Sequence, residues 1–290
     1  MYRLNGRTVI VTGASSGIGR ETAREFARLG AKVVLASRNR EKLEAIADDI
    51  GGETLVVPVD VTRHFSTAAL ARRTVEEFGS IDVLVNNAGV GLFAPIADGN
   101  IDNARYLFEV NFWGAVACIQ SVTPYMVSQR RGHIVNVSSV AGHVSPPNMG
   151  MYSATKHALA AISDSLRVEL SGSGVNVSTI YPGLTETSFM ENMLQEVEAP
   201  AIPPIARFAS SATVGRRIVQ AVRFNIRDIY VAPEDIAAIA ADAFLPLVSD
   251  WVMRTFMRPG RRPLEDVRFE RLEETGDRGQ ETGTGEEPRT

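Results

Sequence analysis

The amino-acid sequence predicts an α/β fold in which helices wind around a parallel sheet. Short β-branched runs alternate with helical patterns, beginning with Thr8 to Val11, whose composition is that of a strand buried on both faces. A glycine-rich turn and a helical pattern through Leu29 follow, then a strand from Lys32 to Ser37 and a helix from Arg40 to Ile50. Polar residues suited to binding come directly after the strands, where open α/β sheets form their crevice.

The same alternation continues along the chain. Further strands are predicted at Thr54 to Val59, Asp82 to Val85, Ile134 to Val137, Val175 to Ile180 and Ile229 to Val231. Four further helices are predicted. The first ends at Phe78, the second runs from Asn103 to Ser128, the third carries Tyr152 and ends at about Leu170, and the fourth runs from Ala212 to Phe224. No internal repeat of fixed period is present.

Length and composition limit the class of protein. The 290 residues are enough for one large α/β domain or two small ones. The hydrophobic content of 44% is normal for a globular protein, and the net charge of -4 gives no reason to expect a nucleic-acid partner. The sequence shows no cluster of His, Cys and carboxylate residues that would indicate a metal.

Three features favour a cytoplasmic location. Cys118 is the only cysteine, so no intrachain disulfide is possible, which fits a reducing compartment. This cysteine lies in an apolar helical run and is expected to be inert core. The chain enters its first strand before a charged and then apolar leader could fit, and no uninterrupted apolar run approaches the ~18 residues of a membrane span.

The glycine-rich turn between the first strand and helix predicts a phosphate site. The stretch from Thr12 to Gly19 reads Thr-Gly-Ala-Ser-Ser-Gly-Ile-Gly, with its glycines spaced Gly-x-x-x-Gly-x-Gly. Small residues before a helix N-terminus let backbone N–H groups approach a pyrophosphate, which the helix dipole also favours. The alternative is an ordinary turn.

The end of the second strand bears on which nicotinamide cofactor binds. An acidic residue there would favour NAD, because it accepts hydrogen bonds from the ribose hydroxyls. This chain has Ser37 followed by Arg38, a hydroxyl and a guanidinium that suit a 2′-phosphate. The sequence therefore predicts a preference for NADP(H), with NAD(H) still possible. The alternative is that Arg38 is a solvated surface arginine.

Polar residues also follow the third and fourth strands. Asp60, followed by Val61, is placed to accept an adenine amino group, or else to act as a charge at a helix N-terminus. The run Asn86-Asn87-Ala88-Gly89 ends the fourth strand. Its amides and small residues are expected to tie neighbouring strands together and to line the cofactor cleft, the alternative being a plain turn.

Tyr152 and Lys156 carry the strongest chemical signal. Residues four apart on a helix lie one turn from each other, so a cation is placed beside a phenol. An unperturbed tyrosine has a pKa of about 10. The neighbouring charge is expected to lower the pKa of Tyr152 toward neutrality, where a general acid or base works best. Asn111, inside a predicted helix, means little by itself.

Taken together, these motifs are similar to those of the short-chain dehydrogenase/reductase family. The matching residues appear in the family's order and spacing across roughly residues 4 to 232. They are Thr12 to Gly19, Asn86 to Gly89, Asn111, Ser139, Tyr152 with Lys156, and Pro182-Gly183. The resemblance implies a single Rossmann-type, doubly wound domain with a seven-stranded parallel sheet.

The resemblance also implies roles for individual residues. Tyr152 would be the general acid in reduction and the base in oxidation, Lys156 would lower the pKa of Tyr152 and bind the nicotinamide ribose, and Ser139 would polarise the carbonyl. Asn111 would hold a water linking Lys156 to solvent. The expected cofactor-binding residues are Gly13, Ser15, Ser16, Gly17, Ile18, Gly19, Ser37, Arg38, Asp60, Val61, Asn87, Ala88, Gly89, Tyr152, Lys156, Pro182, Gly183, Thr185 and Thr187. Relatives usually form homodimers or homotetramers through their two long helices.

The later part of the chain divides into three predicted segments. Residues 184–208 have little clear period, which is typical of a mobile substrate lid. Residues 233–262 form an extension with apolar residues at helical spacing and several arginines, especially over 244–262. This extension could pack on the domain or on a sister subunit, cover the substrate cleft, or lie on an anionic membrane. Residues 263–290 have the polar composition of a disordered tail.

The sequence thus predicts an NADP(H)-dependent oxidoreductase that transfers a hydride between nicotinamide and a carbonyl or alcohol group. The expected substrate wall is apolar, with Val144, Met149, Phe189 and Met190 among its residues. His143 could contact substrate or lie in a surface loop. The alternative function is a non-catalytic NADP-binding protein that reports redox state to a partner.

Overall fold

The computed structural model describes residues 1–190, 192–198 and 207–256. The strands, in chain order, are β1 (Thr8–Thr12), β2 (Lys32–Ser37), β3 (Thr54–Pro58), β4 (Val83–Asn86), β5 (Leu92–Phe93), β6 (Gly132–Val137), β7 (Val175–Tyr181), β8 (Thr185–Glu186), β9 (Leu194–Gln195), β10 (Ala209–Ser210) and β11 (Asp228–Tyr230). The helices are α1 (Gly17–Ala27), α2 (Arg40–Ile50), α3 (His64–Phe78), α4 (Ile101–Phe108), α5 (Gly114–Ser128), α6 (Gly150–Glu169), α7 (Ser211–Phe224), α8 (Pro233–Phe244) and α9 (Pro246–Phe256).

A seven-stranded parallel sheet organises the molecule, as the sequence predicted. The strand order is β11-β7-β6-β4-β1-β2-β3, and every neighbouring pair is parallel. The chain winds outward from β1 in one direction through β2 and β3, and in the other direction from β4 onward. Open sheets of this kind form their binding crevice where the winding reverses, beyond the carboxyl ends of the strands. The C-terminal ends of β1 and β4 therefore mark the expected site.

Helices cover both faces of the sheet and create two apolar cores. In β1 the side chains of Val9 and Val11 pack on one face with residues of α1, α2 and α7, such as Phe26. Ile10 points to the opposite face and packs with residues of α3, α5 and α6, such as Leu70. Because successive side chains of a strand alternate between faces, the almost continuous apolar sequence of the central strands fills both cores.

The long helix predicted from Asn103 to Ser128 is interrupted. Helix α4 begins earlier, at Ile101, and continues through a π-helical turn, Glu109–Trp113, into α5. The side chain of Asn111 in this turn is buried and exchanges hydrogen bonds with the backbone of Val90. Such π turns inside α-helices are frequent at functional sites. Periodicity alone gave no sign of this turn, because a single extra residue barely disturbs the apolar pattern.

The predicted lid contains short strands among its described residues. Strand β8 pairs with β10, and β5 pairs with β9. Glu196 fastens this segment to the start of α4, since its carboxylate accepts hydrogen bonds from the Asn100 N–H at 2.8 Å and from Asn103 Nδ2 at 2.7 Å. Residues 191 and 199–206 of the predicted lid lie outside the described part of the chain.

The described part of the C-terminal extension forms two helices, over which its apolar residues are divided. Helices α8 and α9 are separated at Leu245, and their axes are bent by 117°. Pro246 explains the break, because proline has no N–H group with which to continue a preceding helix. Residues 257–262 of the extension and the predicted tail, 263–290, lie outside the described residues.

No single described helix has the length and apolar composition to cross a membrane. Only the bent pair of Pro233–Phe244 with Pro246–Thr255 meets both criteria jointly.

Cys118 of α5 is buried in the core, where burial raises the pKa of its thiol to about 12. Its thiol is therefore unreactive at neutral pH, as its apolar surroundings in the sequence indicated.

His133, in the central strand β6, is a buried histidine held as the neutral ring. Its Nε2 lies 2.8 Å from Ser178 Oγ, and the Ser178 hydroxyl donates to the carbonyl oxygen of Ile226 at 2.5 Å. Because the serine proton is used in that second bond, His133 Nε2 must be the donor in the first. Burial lowers the pKa of His133 from 6.5 to about 4. In the unfolded chain the ring would take up a proton at a higher pH than in the folded protein.

We therefore predict that acid destabilises the fold through His133. The folded pKa of about 4 lies below the unfolded value of 6.5, so stability from the neutral ring is present above pH 6.5 and is lost as pH falls toward 4. The corresponding loss in unfolding free energy is about 3 kcal/mol. Urea denaturation at both pH values should show this loss in the wild type and a smaller one in His133→Gln, which keeps a donor but does not titrate.

The matched control for this experiment is His64→Gln. His64 is exposed at the start of α3, so its removal should leave the acid dependence of the wild type unchanged. Identical acid dependence in wild type and His133→Gln would contradict the prediction.

Candidate active site

The glycine-rich turn leads from β1 into α1 at the point where the winding of the sheet reverses. Gly13 and Gly17 have positive φ angles of 64° and 50°, which side-chain-bearing residues rarely adopt. A Cβ on Gly13 would lie 2.9 Å from the Ala88 Cα, and one on Gly19 would collide with the carbonyl oxygen of Gly13. The turn therefore requires glycine both for its backbone and for its close approach to the end of β4.

The other residues of the turn surround the N-terminus of α1. Ser16 is the exposed N-cap residue, and its side chain makes no capping hydrogen bond. Ser15 and Ile18 are half-buried, and Ile18 packs against the core beneath α1. The first N–H groups of a helix have no partner within it, so this end of α1 presents donors and a positive dipole to an anion.

The run after β4 fastens β1 to β4, as the sequence indicated. Asn87 Nδ2 donates to the carbonyl oxygens of Thr12 at 3.0 Å and of Gly13 at 3.2 Å. The Thr12 hydroxyl accepts hydrogen bonds from the N–H groups of Asn87 and Ala88, at 3.0 and 3.1 Å, and donates to Val85 O. The Asn87 amide is thus occupied in shaping the turn, and its role is to hold the backbone that forms the cleft.

Ser37 and Arg38 lie where the second strand ends, beside the N-terminus of α2. The Ser37 hydroxyl oxygen is buried and has no hydrogen-bond partner within the described residues. Arg38 is exposed, and its Nη1 donates to the Tyr106 hydroxyl at 3.1 Å. Among the described residues no ion pair neutralises Arg38. A hydroxyl without a partner and a cation without an anion are therefore available together.

Asp60 and Val61 follow β3. One Asp60 carboxylate oxygen accepts from both the N–H and the hydroxyl of Thr62, at 3.0 and 2.8 Å. Its other oxygen lies 3.8 Å from Arg63 Nε. Val61 packs against α5, because a Cβ on Gly114 would lie only 2.7 Å from Val61 Cγ2. The Asp60 carboxylate thus stabilises the loop before α3, and contact with adenine remains a prediction.

Tyr152 and Lys156 lie one turn apart near the start of α6, and both side chains are buried. The Lys156 Nζ is 5.8 Å from the centroid of the Tyr152 ring. The same ammonium donates to the Val137 carbonyl oxygen at 3.0 Å, which ties α6 to the C-terminal end of β6. The pair therefore sits at the carboxyl edge of the sheet, shielded from bulk water.

The pKa of Tyr152 shifts in the opposite direction from the one expected from the sequence. Burial raises it to about 12, and hydrogen bonding with Ser139 opposes that rise only in part. Burial also lowers the pKa of Lys156 to about 8. In both cases removal from water disfavours the charged form of the group, and this effect outweighs the attraction of Lys156 for a phenolate. At neutral pH Tyr152 is therefore a protonated phenol.

Ser139 follows β6 and faces Tyr152. Its Oγ accepts from the Ala141 N–H at 3.1 Å, which caps the short 3₁₀ turn Val140–Gly142, and lies 3.3 Å from the Pro182 carbonyl oxygen. The neighbouring Ser138 hydroxyl donates instead to the backbone carbonyl of Lys156. Of the two serines, Ser139 is thus the one directed toward the tyrosine.

Asn111 connects the same region to α4 and α5. Its Oδ1 accepts from the Val90 N–H at 2.8 Å, and its Nδ2 donates to Val90 O and to the Thr155 hydroxyl. A Cβ placed on Gly89 would lie 3.2 Å from Asn111 Oδ1 and 3.7 Å from Lys156 Nζ. Gly89 therefore lies close to both the Asn111 side chain and the Lys156 ammonium. A water-mediated link between these two side chains remains a prediction.

The predicted residues after β7 also converge on the turn. Gly183 follows Pro182, and the Thr185 hydroxyl donates to the Gly183 carbonyl oxygen at 3.1 Å. The Thr187 side chain lies against the glycine-rich turn, because a Cβ on Gly17 would approach Thr187 Cγ2 to 3.0 Å. The segment after β7 therefore closes over the N-terminus of α1.

An apolar wall adjoins Tyr152. The Phe189 ring is tilted against the Tyr152 ring at a centroid distance of 5.8 Å. The wall is formed by Val90, Leu92, Ala94, Ala104, Leu107, Ala141, Met149, Met151, Phe189 and Leu194. His143 packs instead on Tyr181 and Tyr230, with ring centroids at 4.4 and 5.8 Å. The Tyr152 side chain is thus packed within a cluster of apolar residues.

Sequence reasoning missed the supporting residues Asn136, Ser163 and Thr155, whereas Asn86 belongs to the run that was expected to tie neighbouring strands together. Asn86 Nδ2 donates to Asn136 Oδ1, whose amide in turn donates to the Ser163 hydroxyl, so that β4, β6 and α6 are joined by buried hydrogen bonds. The Thr155 hydroxyl links Asn111 to the Tyr152 carbonyl oxygen. These are buried polar residues inside apolar patterns, a signal that is visible in the sequence but does not indicate which groups are paired.

The shape of this region fits a dinucleotide. Glycine at 13 and 19 keeps the backbone free of side chains between β1 and the N-terminus of α1, where a pyrophosphate would bind, and at the end of β2 the buried Ser37 hydroxyl has no partner among the described residues. In the described part of the chain, no three His, Cys, Asp or Glu side chains are grouped so that they could hold a metal ion.

Comparison with known proteins decides the family. A family model for short chain dehydrogenases matches residues 7–198. The chain belongs to the short-chain dehydrogenase/reductase family. The sequence is 32% identical over 237 residues to an uncharacterized oxidoreductase of Staphylococcus epidermidis, covering 80% of this chain and 100% of that protein.

A second relative covers a shorter stretch. The sequence is 39% identical over 196 residues to the mouse protein described as dehydrogenase/reductase SDR family member 7B. This alignment covers 65% of the present short-chain dehydrogenase/reductase and 61% of the mouse protein. The chain thus matches less than two thirds of the mouse protein's length.

Solved structures of the family share the fold. A short-chain dehydrogenase/reductase from Burkholderia phymatum in complex with NAD aligns with a TM-score of 0.78 at 28% identity, covering 86% of this chain and 96% of that chain. The 3-ketoacyl-(acyl-carrier-protein) reductase of Brucella melitensis, complexed with NADH, aligns with a TM-score of 0.71 at 25% identity, covering 79% and 97%. The fold and the oxidoreductase family are therefore established for this chain.

Proposed function

We propose that this short-chain dehydrogenase/reductase transfers a hydride between NADP(H) and a carbonyl or alcohol group on a mostly apolar substrate. The convergence of Tyr152, Lys156 and Ser139 beside an apolar wall carries the proposal. When bound, the nicotinamide supplies the hydride, and the protein supplies position and electrostatics. The two related structures described above are complexes with NAD and NADH, so the proposed NADP(H) preference rests on residues of this chain.

In this proposal Tyr152 acts as the general acid of reduction. A buried phenol whose pKa is raised stays protonated at neutral pH and so holds the proton that a carbonyl oxygen must receive. Ser139, beside the phenol, donates its hydroxyl to the same oxygen and polarises the carbonyl. Lys156 holds the nicotinamide ribose and compensates negative charge as the phenol gives up its proton. Asn111 positions the water through which Lys156 exchanges protons with solvent.

Three groups of residues would hold the cofactor. Backbone N–H groups from Gly13 to Gly19 would bind the pyrophosphate at the N-terminus of α1. Ser37 and Arg38 would bind the 2′-phosphate, and the N-terminus of α2 would add a favourable dipole. Thr187 lies over the glycine turn, where it would contact the nicotinamide amide.

We also propose a homodimer or homotetramer in the cytoplasm. The helices through which family members usually pair carry exposed apolar residues here, including Trp113 after α4 and Val168 in α6. The single buried cysteine fits a reducing compartment.

We predict that Tyr152→Phe lowers kcat/KM for carbonyl reduction by about 100- to 10,000-fold, the usual contribution of general acid–base catalysis. The phenyl ring keeps the packing against Phe189 but has no proton to donate. The measurement is NADPH oxidation at the nicotinamide absorbance, with a panel of ketones, aldehydes and 3-oxoacyl thioesters.

Tyr125→Phe is the matched control, because Tyr125 is a half-buried tyrosine of α5 that packs on a different apolar cluster from Tyr152, so loss of its hydroxyl should leave activity unchanged. Equal activity of wild type and Tyr152→Phe would rule out the mechanism. Tight cofactor binding without turnover across the panel would favour the redox-sensing alternative.

We predict that Arg38→Asp lowers the ratio of kcat/KM with NADPH to that with NADH by about 100-fold. A charge-assisted hydrogen bond to a phosphate contributes about 1.5–3 kcal/mol, and the new carboxylate repels the phosphate while suiting a ribose diol. Arg40→Asp is the control, since Arg40 is an equally exposed arginine that pairs with Glu44. An unchanged cofactor ratio in Arg38→Asp would show that Arg38 only faces water.

A further inference from the structure

Helices α8 and α9 expose large apolar side chains. Leu247 is 82% exposed and Trp251 is 64% exposed, values unusual for such residues in a folded domain. The exposed set on the two helices and the break between them is Ile236, Phe244, Leu245, Leu247, Val248, Trp251 and Val252. No residue of α8 is buried. The pair therefore presents an apolar surface that nothing in the described chain covers.

The acidic residues of these helices do not interrupt that surface. Asp242 accepts a hydrogen bond from the Ser249 hydroxyl at 2.6 Å across the bend. Asp250 lies 3.7 Å from Arg254 Nη2 one helical turn away. In α9 the exposed apolar residues recur at helical spacing, so Leu247, Val248, Trp251 and Val252 share one side of the helix. The polar groups are thus separated from the apolar face.

Composition and charge favour a lipid surface as the occupant. The two helices together have the length and apolar composition of a membrane segment, yet their 117° bend prevents them from forming one straight span. The sequence then changes abruptly to cationic residues, with Arg258, Arg261 and Arg262 following α9. An apolar face with an interfacial tryptophan next to arginines is the pattern of a helix that lies in the headgroup region.

We propose that α8 and α9 dock this protein on an anionic lipid surface. The apolar face of α9 enters the boundary between headgroups and acyl chains. Anionic lipid is favoured because arginines follow this helix in the sequence. The proposal concerns a surface outside the active site and is independent of the proposed catalytic activity.

Vesicle flotation with the full-length protein tests this docking. Wild type should float with vesicles of phosphatidylcholine and phosphatidylserine more than with phosphatidylcholine alone. The double variant Leu247→Glu/Trp251→Glu should bind at least about tenfold more weakly, because it replaces two of the apolar side chains that would be buried in the lipid with charged ones. Phe65→Glu, an equally drastic change at an exposed phenylalanine on α3, should leave flotation unchanged.

A charge variant separates the electrostatic contribution. Arg258→Glu/Arg261→Glu/Arg262→Glu should lose the preference for phosphatidylserine, at about 1 kcal/mol per arginine. Absence of flotation, or equal flotation of wild type and the Leu247→Glu/Trp251→Glu variant, would overturn the proposal. The proposal would also be overturned if the wild type did not float and the Leu247→Glu/Trp251→Glu variant had a lower oligomeric mass than the wild type in light scattering. The apolar face would then be a contact between copies of this chain.

A separate observation concerns Asp235 in the first turn of α8. Its carboxylate oxygen Oδ2 accepts the Ala232 N–H at 3.0 Å, and its other oxygen lies against Gly183. Gly183 packs so closely that a Cβ there would collide with Asp235 Oδ1. The preceding carbonyl, of Pro182, receives the Val140 N–H at 2.9 Å and lies 3.3 Å from Ser139 Oγ. The extension therefore reaches the turn on which Ser139 rests.

We infer that Asp235 is a positioning residue for the turn after β7, an inference that rests on the proposed function of that turn in cofactor binding. The carboxylate holds the Gly183 backbone, and this backbone in turn holds the carbonyl group against Ser139. Asp235 itself touches neither of the reacting groups named above.

Titration of NADPH fluorescence tests this role without requiring a substrate. Asp235→Ala should raise the Kd for NADPH about tenfold, and Asp235→Asn, which keeps only one of the two acceptor oxygens, should raise it about threefold. Hydrogen exchange of the amides in 183–187 should follow the same order. Glu234→Ala, at the exposed neighbouring position, should match wild type.

Two results would overturn the inference. One is a wild-type Kd and wild-type exchange in Asp235→Ala, even with a lower melting temperature. The other, which decides the matter if Asp235→Ala does not fold, is wild-type exchange at 183–187 in Asp235→Asn. A wild type that binds NADPH but turns over no substrate would contradict the proposed function and leave this inference standing.

Discussion

The removal of Tyr152 and Lys156 from water is the constraint on which the site depends. Both side chains are buried at the carboxyl edge of the sheet, and in each the charged form is disfavoured. The Val137 carbonyl oxygen, at 3.0 Å, partly replaces water around the ammonium. In a site of low polarity a proton held by a neutral phenol is stable until a substrate oxygen accepts it, and interactions among charges are stronger than in water.

The strand order explains why these groups can be buried together. Because β6 lies beside β4, and β4 beside β1, the polar residues that end these three strands fall on one edge. Asn87 at one of these strand ends binds the backbone of Thr12, and Asn111 in the π turn after α4 binds the backbone of Val90. Buried polar groups are therefore satisfied by the chain itself, and the cleft keeps its shape.

Much of the fold and the position of the site followed from the sequence. Strand–helix alternation, the glycine spacing and the distance between Tyr152 and Lys156 are local properties, so they could be read without the structure. The direction of the pKa shift of Tyr152 could not, because burial depends on residues distant in sequence, such as Phe189. The π turn at Asn111 was missed because one extra residue barely disturbs the apolar pattern. Its hydrogen bonds with Val90, which is 21 residues away in the sequence, could not be predicted either.

The C-terminal extension shows a different limit of sequence reasoning. It also connects the turn after β7 with the apolar bend between α8 and α9. Its apolar spacing was visible, but the break at Pro246 and the contact of Asp235 with Gly183 required coordinates. Helix α8 has 12 residues, and at about 1.5 Å per residue it forms a rod of about 18 Å. One end of this rod is fixed to the turn after β7, and the other carries the apolar bend. A surface that holds α9 would therefore also orient the turn after β7, on which Ser139 rests.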